Sequence, residues 1–406
     1  MKTQTPVVFQ TLARWDNAYS STALSLAKEL SRDRKVLFVE RPFTRKDVLL
    51  QPTNRQIMRR KKLWQQGTFM EQAFPELPNL YMIYPKPSWP INALPDGRLF
   101  EAMRQKQNQA IWELIDRCLI QLGIHEFVYF NSFDPVNSII KSRLSVQKTV
   151  YHCVDHMGGE PYIARHGVKA EAECARRSDL VISTSKALHE KMGCLNPNAF
   201  LLPNAGDYHH FRRTDQAEPE EMRYFKGPKV MYTGSIGSRI DATLMYKTAR
   251  LMPSAQFLFI GPVSDVAIGG TGLFDLSNVH LLGPKPYAKL PAYIAAADAC
   301  LIPFVSNELT RCVYPLKINE YLAAGKPVIS TPFTDLSDFE GLIQIASNPV
   351  HMVAAIRSAI EEPSPRMCAT RQHFASKNTW EERAERLSLI LENTVSKTQT
   401  LTFEAA

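Results

Sequence analysis

A lysine and a glutamate stand three residues apart in the stretch YPLKINEYLAAGKPVIS, residues 314–330. Pro315 suits the start of a helix, and Gly325 followed by Pro327 suits its end, so a helix is predicted over 315–324. Lys317 and Glu320 then share one face near the helix N-terminus, where anions are favoured. The lysine suits a phosphate, and the glutamate can accept hydrogen bonds from two vicinal hydroxyls. The pair fits a diphosphate and a ribose; a plain salt bridge between the two side chains is the alternative.

A second phosphate-type pattern is the loop YTGSIGSRID, residues 232–241. Gly234 and Gly237 follow a predicted strand and precede a helix whose natural N-cap is Asp241, and Arg239 lies in the same loop. Exposed backbone amides in such a loop can meet an anion, although a tight strand-to-helix turn would look the same. The pattern is not GxGxxG, so a nicotinamide-dependent enzyme is disfavoured.

Two further polar groups follow predicted strands in the first half of the chain. The stretch YHCVDHMGG, residues 151–159, ends a strand with Asp155 and His156, and Trp15 with Asp16 follow the first strand. A zinc site is disfavoured, because alternation along a strand spreads the possible ligands over two faces. Core packing is the other alternative, and Trp15 either stacks on an acceptor or fastens its own loop.

These residues are held by an alternation of strands and helices. Strands are predicted over 6–12, 35–40, 127–130, 149–154, 180–184 and 199–203, and again over 229–234, 256–261, 279–283, 299–304 and 327–331. Their continuous rather than alternating apolar runs indicate parallel strands that are covered on both faces. The fold class is therefore α/β, with two doubly wound Rossmann-like domains whose ligand site lies at the carboxyl ends of the strands, in a cleft.

The pattern breaks at the polar stretch 204–228. We therefore expect a first domain over 1–205, a linker over 206–228 and a second domain over 229–378. The final helix, 379–395, carries an apolar stripe that needs a surface to cover, and we expect it to pack back on the first domain.

Composition limits the class of protein. The chain has 406 residues, 45% hydrophobic and 22% charged, which is typical of a globular protein with two domains. No apolar run approaches a membrane span, and the N-terminus lacks the pattern of a signal peptide, so we expect a cytoplasmic protein. Seven cysteines without a CxxC pair indicate reduced thiols. No nucleic acid partner is expected.

Positive charge is concentrated in one segment: eight of the lysines and arginines lie between Arg41 and Lys62. Ile57, Met58, Leu63 and Trp64 are interspersed with them. Such a segment can bind an anionic membrane surface through 41–64, grip a phosphorylated acceptor, or be a solvated face.

Several blocks together resemble one family. VMYTGSIGSRID, NVHLLGPKPYAKLPAYIAAADACLIPF, PLKINEYLAAGKPVIS and TWEERAERL occur in this order. They look like the C-terminal half of retaining GT-B glycosyltransferases of the "glycosyl transferases group 1" family. LARWDNAYSSTALSLAKEL, SDLVISTSKAL and LLPNAGDYHHF resemble bacterial members that build cell-surface polysaccharides, of the teichuronic-acid type.

The resemblance implies roles for individual residues. It places the ribose of a nucleotide sugar on Glu320, and the diphosphate on Lys317, Gly234 and Ser235, with Arg239 beside them. Asp155 and His156 fall where the family positions the reacting sugar or the acceptor. Trp15 and Asp16 fall on the acceptor side.

One position departs from the pattern. Many members carry a second glutamate eight residues before the first, in contact with the donor sugar, and this chain has Cys312 there.

The implied reaction is transfer of a glycosyl unit, with retention, from a UDP- or GDP-sugar to a saccharide or lipid-linked acceptor. No DxD motif is present, so the expectation is a metal-independent enzyme without a cofactor. A nucleotide-sugar epimerase and a catalytically silent partner subunit remain alternatives.

Overall fold

Buried strands rich in Val, Leu, Ile and Phe form the centre of each half of the chain. The computed structural model describes residues 4–17, 21–159, 161–212, 217–361 and 364–394. The chain divides into two units, unit 1 with residues 1–203 and 383–406, and unit 2 with residues 204–382.

Unit 1 is built on an eight-stranded sheet. Its strands are β1 (Val7–Thr11), β2 (Val36–Val39), β3 (Met70–Glu71), β4 (Leu80–Ile83), β5 (Glu126–Ser132), β6 (Ser145–Cys153), β7 (Leu180–Ser183) and β8 (Ala199–Leu201), in the order β3-β4-β2-β1-β5-β6-β7-β8. All neighbours pair in parallel except β3 with β4, so one edge of the expected parallel sheet is antiparallel. Because β2 and β5 flank β1, the strand order reverses beside β1, and a ligand is expected at the carboxyl ends there.

Unit 2 is built on a six-stranded sheet whose pairs are all parallel in the described residues. Its strands are β9 (Lys229–Thr233), β10 (Gln256–Ile260), β11 (Val279–Gly283), β12 (Ala299–Ile302), β13 (Val328–Ser330) and β14 (Gln344–Ile345), in the order β11-β10-β9-β12-β13-β14. Both units thus have the doubly wound α/β plan that the apolar runs indicate.

Helices connect and cover the strands. They are α1 (Thr22–Leu30), α2 (Arg45–Leu50), α3 (Arg55–Gln65), α4 (Arg98–Gln121), α5 (Pro161–Arg177), α6 (Lys186–Gly193), α7 (Tyr208–Phe211), α8 (Ala242–Leu251), α9 (Leu290–Ala295), α10 (Glu308–Arg311), α11 (Leu316–Ala323), α12 (Pro349–Glu361), α13 (Pro365–Ser376) and α14 (Trp380–Asn393). Among the described residues, no helix is both long enough and apolar enough to cross a lipid bilayer.

The segment expected as a linker, 206–228, is instead part of unit 2. It forms α7 and a short 3-10 helix, and the side chains of Phe211 and Met222 are fully buried in the core of that unit. The scattered apolar residues of this polar stretch give no periodicity, yet Phe211 and Met222 anchor it in the core. The units therefore divide after Pro203, and the described residues of 206–228 belong to unit 2.

The last helix, α14, belongs to unit 1 from Arg383 onward. Its Leu387 and Leu391 are buried. Arg383 Nε donates to the carbonyl of Pro203 at 2.8 Å, and Arg34 Nη2 donates to Ser388 Oγ at 2.8 Å. Val395, the last residue of the expected helix, lies outside the described residues.

Candidate active site

Two glycines allow the backbone segments that follow β9 and β10 to lie in direct contact. Gly234 follows β9 with φ +141°, and Gly261 follows β10 with φ +149°, both in the region that favours glycine. The amide of Gly234 donates to the carbonyl of Ile260 at 2.7 Å. A Cβ atom on Gly261 would lie 2.6 Å from the carbonyl carbon of Gly234, so no other residue fits there.

The Lys317 side chain lies over this glycine turn. A Cβ atom on Gly234 would lie 2.9 Å from Lys317 Nζ and closer still to Cε. Lys317 stands in the first turn of α11. The N-cap residue of this helix is Pro315, whose side chain accepts no hydrogen bond from the first helix amides. Uncapped amides and an ammonium group therefore lie beside the half-buried backbone of Gly234, an arrangement that attracts an anion such as a diphosphate.

Glu320 lies one turn further along α11. It forms no salt bridge with Lys317 in the described part of the chain, so the plain ion pair is not what holds these residues in place. Burial raises the pKa of the Glu320 carboxyl; nearby Lys317 and His210 oppose this effect, whereas Asp207 adds to it. The side chain nevertheless keeps part of its surface exposed and can accept hydrogen bonds from a ligand.

Three residues around Glu320 were not singled out by the sequence. The rings of His210 and Tyr287 are stacked with centroids 4.3 Å apart, and His210 Nε2 lies 3.0 Å from the carbonyl oxygen of Tyr287. The Tyr287 hydroxyl is hydrogen-bonded to Asp207, and burial raises the pKa of Tyr287. Asp207 and His210 lie in the stretch 204–228, whose polar composition predicted a linker. No local pattern marked them, because both lie well beyond the end of β8 at Leu201.

The rest of the glycine loop is held by its own contacts. Ser235 is exposed, and its hydroxyl donates to Ser264 Oγ at 2.8 Å. Asp241 caps α8, as expected, by accepting the amide of Leu244 at 2.8 Å. The cap already satisfies one of the orphan amides of α8. Arg239 is half-buried, and its carbonyl accepts the amide of Val305 at 2.9 Å.

Cys312 is buried and is the C-cap residue of α10. Its amide donates to the carbonyls of Leu309 and Thr310. Glu308 and Arg311 of the same short helix are exposed. A thiol therefore occupies the position at which the family resemblance implies a carboxylate.

In unit 1, Asp155 and His156 follow β6 and are both half-buried. The amide of His156 donates to Asp155 Oδ1 at 2.9 Å, which fixes the turn. His152, within β6, is fully buried, and Ser132 Oγ lies 3.1 Å from its Nδ1. Burial lowers the pKa of His152 to about 3, so its ring is neutral and is a core residue.

Trp15 and Asp16 are engaged inside unit 1. Trp15 Nε1 donates to the Tyr84 hydroxyl at 3.1 Å, and Arg60 Nη2 donates to Asp16 Oδ1 at 2.9 Å. Neither residue lines the two cavities described for this unit. Both fasten the loop after β1, the structural alternative that the sequence left open for Trp15.

The basic segment is less exposed than its sequence indicates. Arg60 is fully buried and forms a two-pronged ion pair with Glu40, with Nε to Oε1 at 2.8 Å and Nη2 to Oε2 at 2.6 Å. Ile57 is also fully buried, and Trp64 donates its Nε1 to the carbonyl of Tyr84 at 3.3 Å. Arg60 and Ile57 therefore complete the core of unit 1 and cannot contribute to an anionic membrane surface, and binding of such a surface by the rest of 41–64 stays a prediction.

A polar cluster at the carboxyl ends of β1 and β5 was missed. Asp134 accepts hydrogen bonds from Gln10 at 3.1 Å and from Asn137 at 3.0 Å, and burial raises the pKa of its carboxyl. Phe133, just before it, has φ 60°, a strained value for a non-glycine residue. Asp134 and Asn137 line a cavity of about 280 Å³ together with Leu12, which follows β1. This is the place where the strand order reverses, and it is a candidate acceptor pocket.

Comparison with known proteins agrees with this geometry. Residues 227–362 match the family model described as "Glycosyl transferases group 1". The chain is similar to a Bacillus subtilis protein named as a teichuronic acid biosynthesis glycosyltransferase, TuaH, with 25% identity over 222 residues. That match covers 51% of this chain and 56% of the relative, so the chain spans about half the length of the curated relative that it matches.

Solved structures show the same fold at low identity. Sucrose-phosphate synthase from Thermosynechococcus elongatus has a TM-score of 0.67 and 15% identity, with 99% of this chain and 100% of that chain covered. HepE of Anabaena, in complex with UDP and glucose, has a TM-score of 0.64 and 14% identity, with 96% and 100% covered. The expected GT-B fold and the resemblance to the family are confirmed.

Proposed function

We propose that this chain, a member of the glycosyl transferases group 1 family, transfers a glycosyl unit from a nucleotide sugar to a saccharide or lipid-linked acceptor. The observation that carries the proposal is the position of Lys317 over the Gly234 turn, beside the uncapped start of α11. Cation and amides there provide the positive environment that a departing diphosphate needs. The likeness to a teichuronic acid biosynthesis protein supports surface-polysaccharide biosynthesis as the setting.

The ribose of the donor is assigned to Glu320. Two vicinal hydroxyls donating to this carboxylate would stabilise its charged form and thereby offset the burial that raises its pKa. Ser235 and Arg239 are assigned to the diphosphate, because both belong to the loop that follows Gly234. UDP is the nucleotide with the most support, since HepE of Anabaena was solved with UDP and with UDP-glucose; GDP is the next to test.

We assign Asp155 and His156 to positioning the donor sugar or the acceptor. In the proposed reaction, the bond between the anomeric carbon and the diphosphate oxygen breaks, and a bond from the acceptor hydroxyl oxygen to the same carbon forms on the same face. The hydroxyl proton passes to the departing diphosphate, so charge and atoms balance. The anomeric configuration is retained. Lys317 stabilises the negative charge that develops on the diphosphate, and no metal ion is needed for this step.

The test is a thermal-shift series with UDP-, GDP- and ADP-sugars, followed by measurement of nucleoside diphosphate release. A donor that binds only the folded chain raises its apparent stability, by about 2.7 kcal/mol at a hundred times its dissociation constant. Lys317→Ala should remove the shift. Lys247→Ala, an exposed lysine of α8, is the matched control and should keep it. Absence of a shift with every nucleotide sugar would contradict the proposal.

One observation favours a second candidate, a catalytically silent partner subunit. Cys312 offers a buried thiol where the family resemblance implies a carboxylate in contact with the donor sugar. A chain that binds a nucleotide sugar, but releases no sugar from it with any acceptor and activates a second glycosyltransferase, would be this candidate.

A further inference from the structure

The loop that follows β10, residues 261–265, lies directly beside the glycine loop that follows β9. The amide of Ile236 donates to the carbonyl of Pro262 at 2.8 Å, and the amide of Ser264 donates to the carbonyl of Ile236 at 2.8 Å. These two bonds form a parallel bridge between Ile236 and Val263. Ile236 is fully buried in the core of unit 2. The main chain therefore fixes Ser264 beside the loop to which the diphosphate is assigned.

The side chains of Ser235 and Ser264 are hydrogen-bonded across this bridge. Ser235 Oγ donates to Ser264 Oγ at 2.8 Å, and both residues are exposed. The main chain of Ser235 is held by the buried Tyr232, whose hydroxyl donates to the carbonyl of Ser235 at 3.0 Å. The same hydroxyl and Lys317 Nζ each lie 2.9 Å from the point that a Cβ atom on Gly234 would occupy. The two serine hydroxyls are thus open to a ligand beside the Lys317 ammonium.

The second glycine of the β9 loop makes room for the Ser264 hydroxyl. A Cβ atom on Gly237 would lie closer to Ser264 Oγ than non-bonded atoms approach one another. Its next neighbours, two atoms of Asp265, would be at ordinary contact distances of 3.4 and 3.5 Å. The φ angle of Gly237 is not among the positive values that favour glycine. The space beside Gly237 is therefore needed by the side chain of Ser264, and not by the conformation of the loop.

The number of protons on the two hydroxyls shows what Ser264 adds to the site. A serine hydroxyl has one proton to donate, and a diphosphate oxygen can only accept. Because Ser235 donates its proton to Ser264, it has none left for an anion in this arrangement. Ser264 can reverse the bond, since the acceptor of its own proton is the carbonyl of Ile236 at a long 3.4 Å. Ser264 would then donate to Ser235, and Ser235 would donate to the diphosphate.

We propose that Ser264 is a positioning residue of the diphosphate site, which orients the Ser235 hydroxyl so that its proton points at the diphosphate. A hydroxyl that accepts one hydrogen bond becomes a better donor for the next, because hydrogen bonds in a chain polarise one another. The inference rests on the proposed function, since Ser235 is assigned there to the diphosphate. It adds the loop after β10 to a site that otherwise consists of the loop after β9 and the start of α11.

The test is calorimetry with UDP, GDP and ADP, each compared with its nucleoside. Ser264→Ala should weaken binding of the nucleoside diphosphate between about twofold and tenfold, the change expected for one neutral hydrogen bond. Binding of the nucleoside, which lacks the diphosphate, should be unchanged. Ser264→Thr retains a hydroxyl and should bind like the parent chain. Ser254→Ala, an exposed serine in the turn before β10, is the matched control and should also bind like the parent chain.

A double-mutant cycle separates positioning from direct contact with the ligand. If Ser264 acts through Ser235, Ser264→Ala should have no effect on nucleoside diphosphate binding in a Ser235→Ala chain. Gly237→Ala breaks the pair in a second way, because its Cβ atom turns the Ser264 hydroxyl aside without deleting it. Gly237→Ala should weaken binding as Ser264→Ala does, while the melting temperature stays near that of the parent chain. Combining these two changes should give no further loss.

Several results would overturn the inference. Additive effects of Ser235→Ala and Ser264→Ala would make Ser264 an independent contact of the ligand. Equal losses for the nucleoside and the nucleoside diphosphate would make Ser264 a general structural residue of unit 2. If the nucleoside diphosphate binds equally well to Ser264→Ala and to the parent chain, this inference fails and the proposed function stands. A parent chain that binds none of the three nucleotides would refute both.

Discussion

Lys317 and Gly234 are 83 positions apart in the sequence, yet no side-chain atom could be added to the glycine without meeting the lysine. We therefore expect Gly234→Ala to displace the ammonium and to strain the turn, since φ +141° disfavours an L residue. Nucleotide-sugar affinity should fall by about tenfold or more, as one charge-assisted contact is lost. Calorimetry measures the loss, and Gly269→Ala is the matched control, because a Cβ atom there meets nothing within 4 Å.

Replacing Glu320 should weaken nucleotide-sugar binding without lowering the melting temperature of the protein. Glu320→Gln loses a charged acceptor for the ribose, which should cost about 1.5–3 kcal/mol of nucleotide-sugar binding free energy. Because burial raises the pKa of Glu320, the folded protein loses stability as pH rises above the carboxyl's ordinary value. The variant should therefore melt at the same or a higher temperature at neutral pH. Weaker binding accompanied by a lower melting temperature would contradict this account, and Glu340→Gln, exposed in unit 2, is the control.

The buried ion pair of unit 1 predicts a large stability effect. Arg60→Gln leaves Glu40 buried without its partner, and breaking such a pair costs about 3–5 kcal/mol. Arg59→Gln, next in sequence, removes an ion pair between Glu71 and the half-exposed Arg59, and should cost at most about 1 kcal/mol. Guanidinium unfolding followed by tryptophan fluorescence compares the two. Equal losses would show that burial of the pair is irrelevant.

His152 predicts part of the acid sensitivity of unit 1. Its pKa is 6.5 when unfolded and about 3 in the fold, so the unfolded chain binds the extra proton between these values. The stability that depends on a neutral His152 is complete above pH 6.5 and is lost as pH falls toward 3. The slope is at most about 1.4 kcal/mol per pH unit. The difference in unfolding free energy between His152→Gln and the parent chain should shrink steadily as the pH is lowered. A difference that stays constant with pH would exclude this titration.

Chelation tests the role given to Lys317. Because an ammonium and backbone amides are proposed to hold the diphosphate, sugar transfer should continue in EDTA. Full loss of turnover in EDTA, restored by magnesium, would refute this. The sensitivity of Lys317→Ala to added magnesium then shows whether a cation can replace the lysine.

Sequence patterns predicted the strands and helices that have a regular apolar pattern and missed those that lack one. Continuous apolar runs such as Val36–Val39 identify buried parallel strands without further information. The two-residue strands β3 and β14 are too short to show a periodic pattern. Helix α3 was not predicted, because its buried face carries Arg60, and a charged residue normally indicates a solvent-exposed position. A buried ion pair cannot be recognised from one of its partners.

The same limit applies to the candidate site. Lys317, Glu320 and Gly234 were found because each stands at a helix start or a strand end, where local spacing has chemical meaning. Asp134 also follows a strand, but its role depends on Gln10, which lies 124 positions away. His210 depends in the same way on Tyr287. Such pairs arise from tertiary contacts, and a single sequence contains no signal for them.

The connectivity of α14 has a consequence for synthesis on the ribosome. Unit 1 uses residues 383–394, which follow all of unit 2 in the sequence. Arg34 and Pro203 both form hydrogen bonds with this segment, and its Leu387 and Leu391 are buried. Most of unit 1 emerges first but cannot be completed until residues 383–394 have been translated. Unit 2 is contiguous, so it is the first whose entire sequence is available for folding. A nascent chain halted near residue 382 would expose the surface that α14 covers and would need a chaperone to shield it.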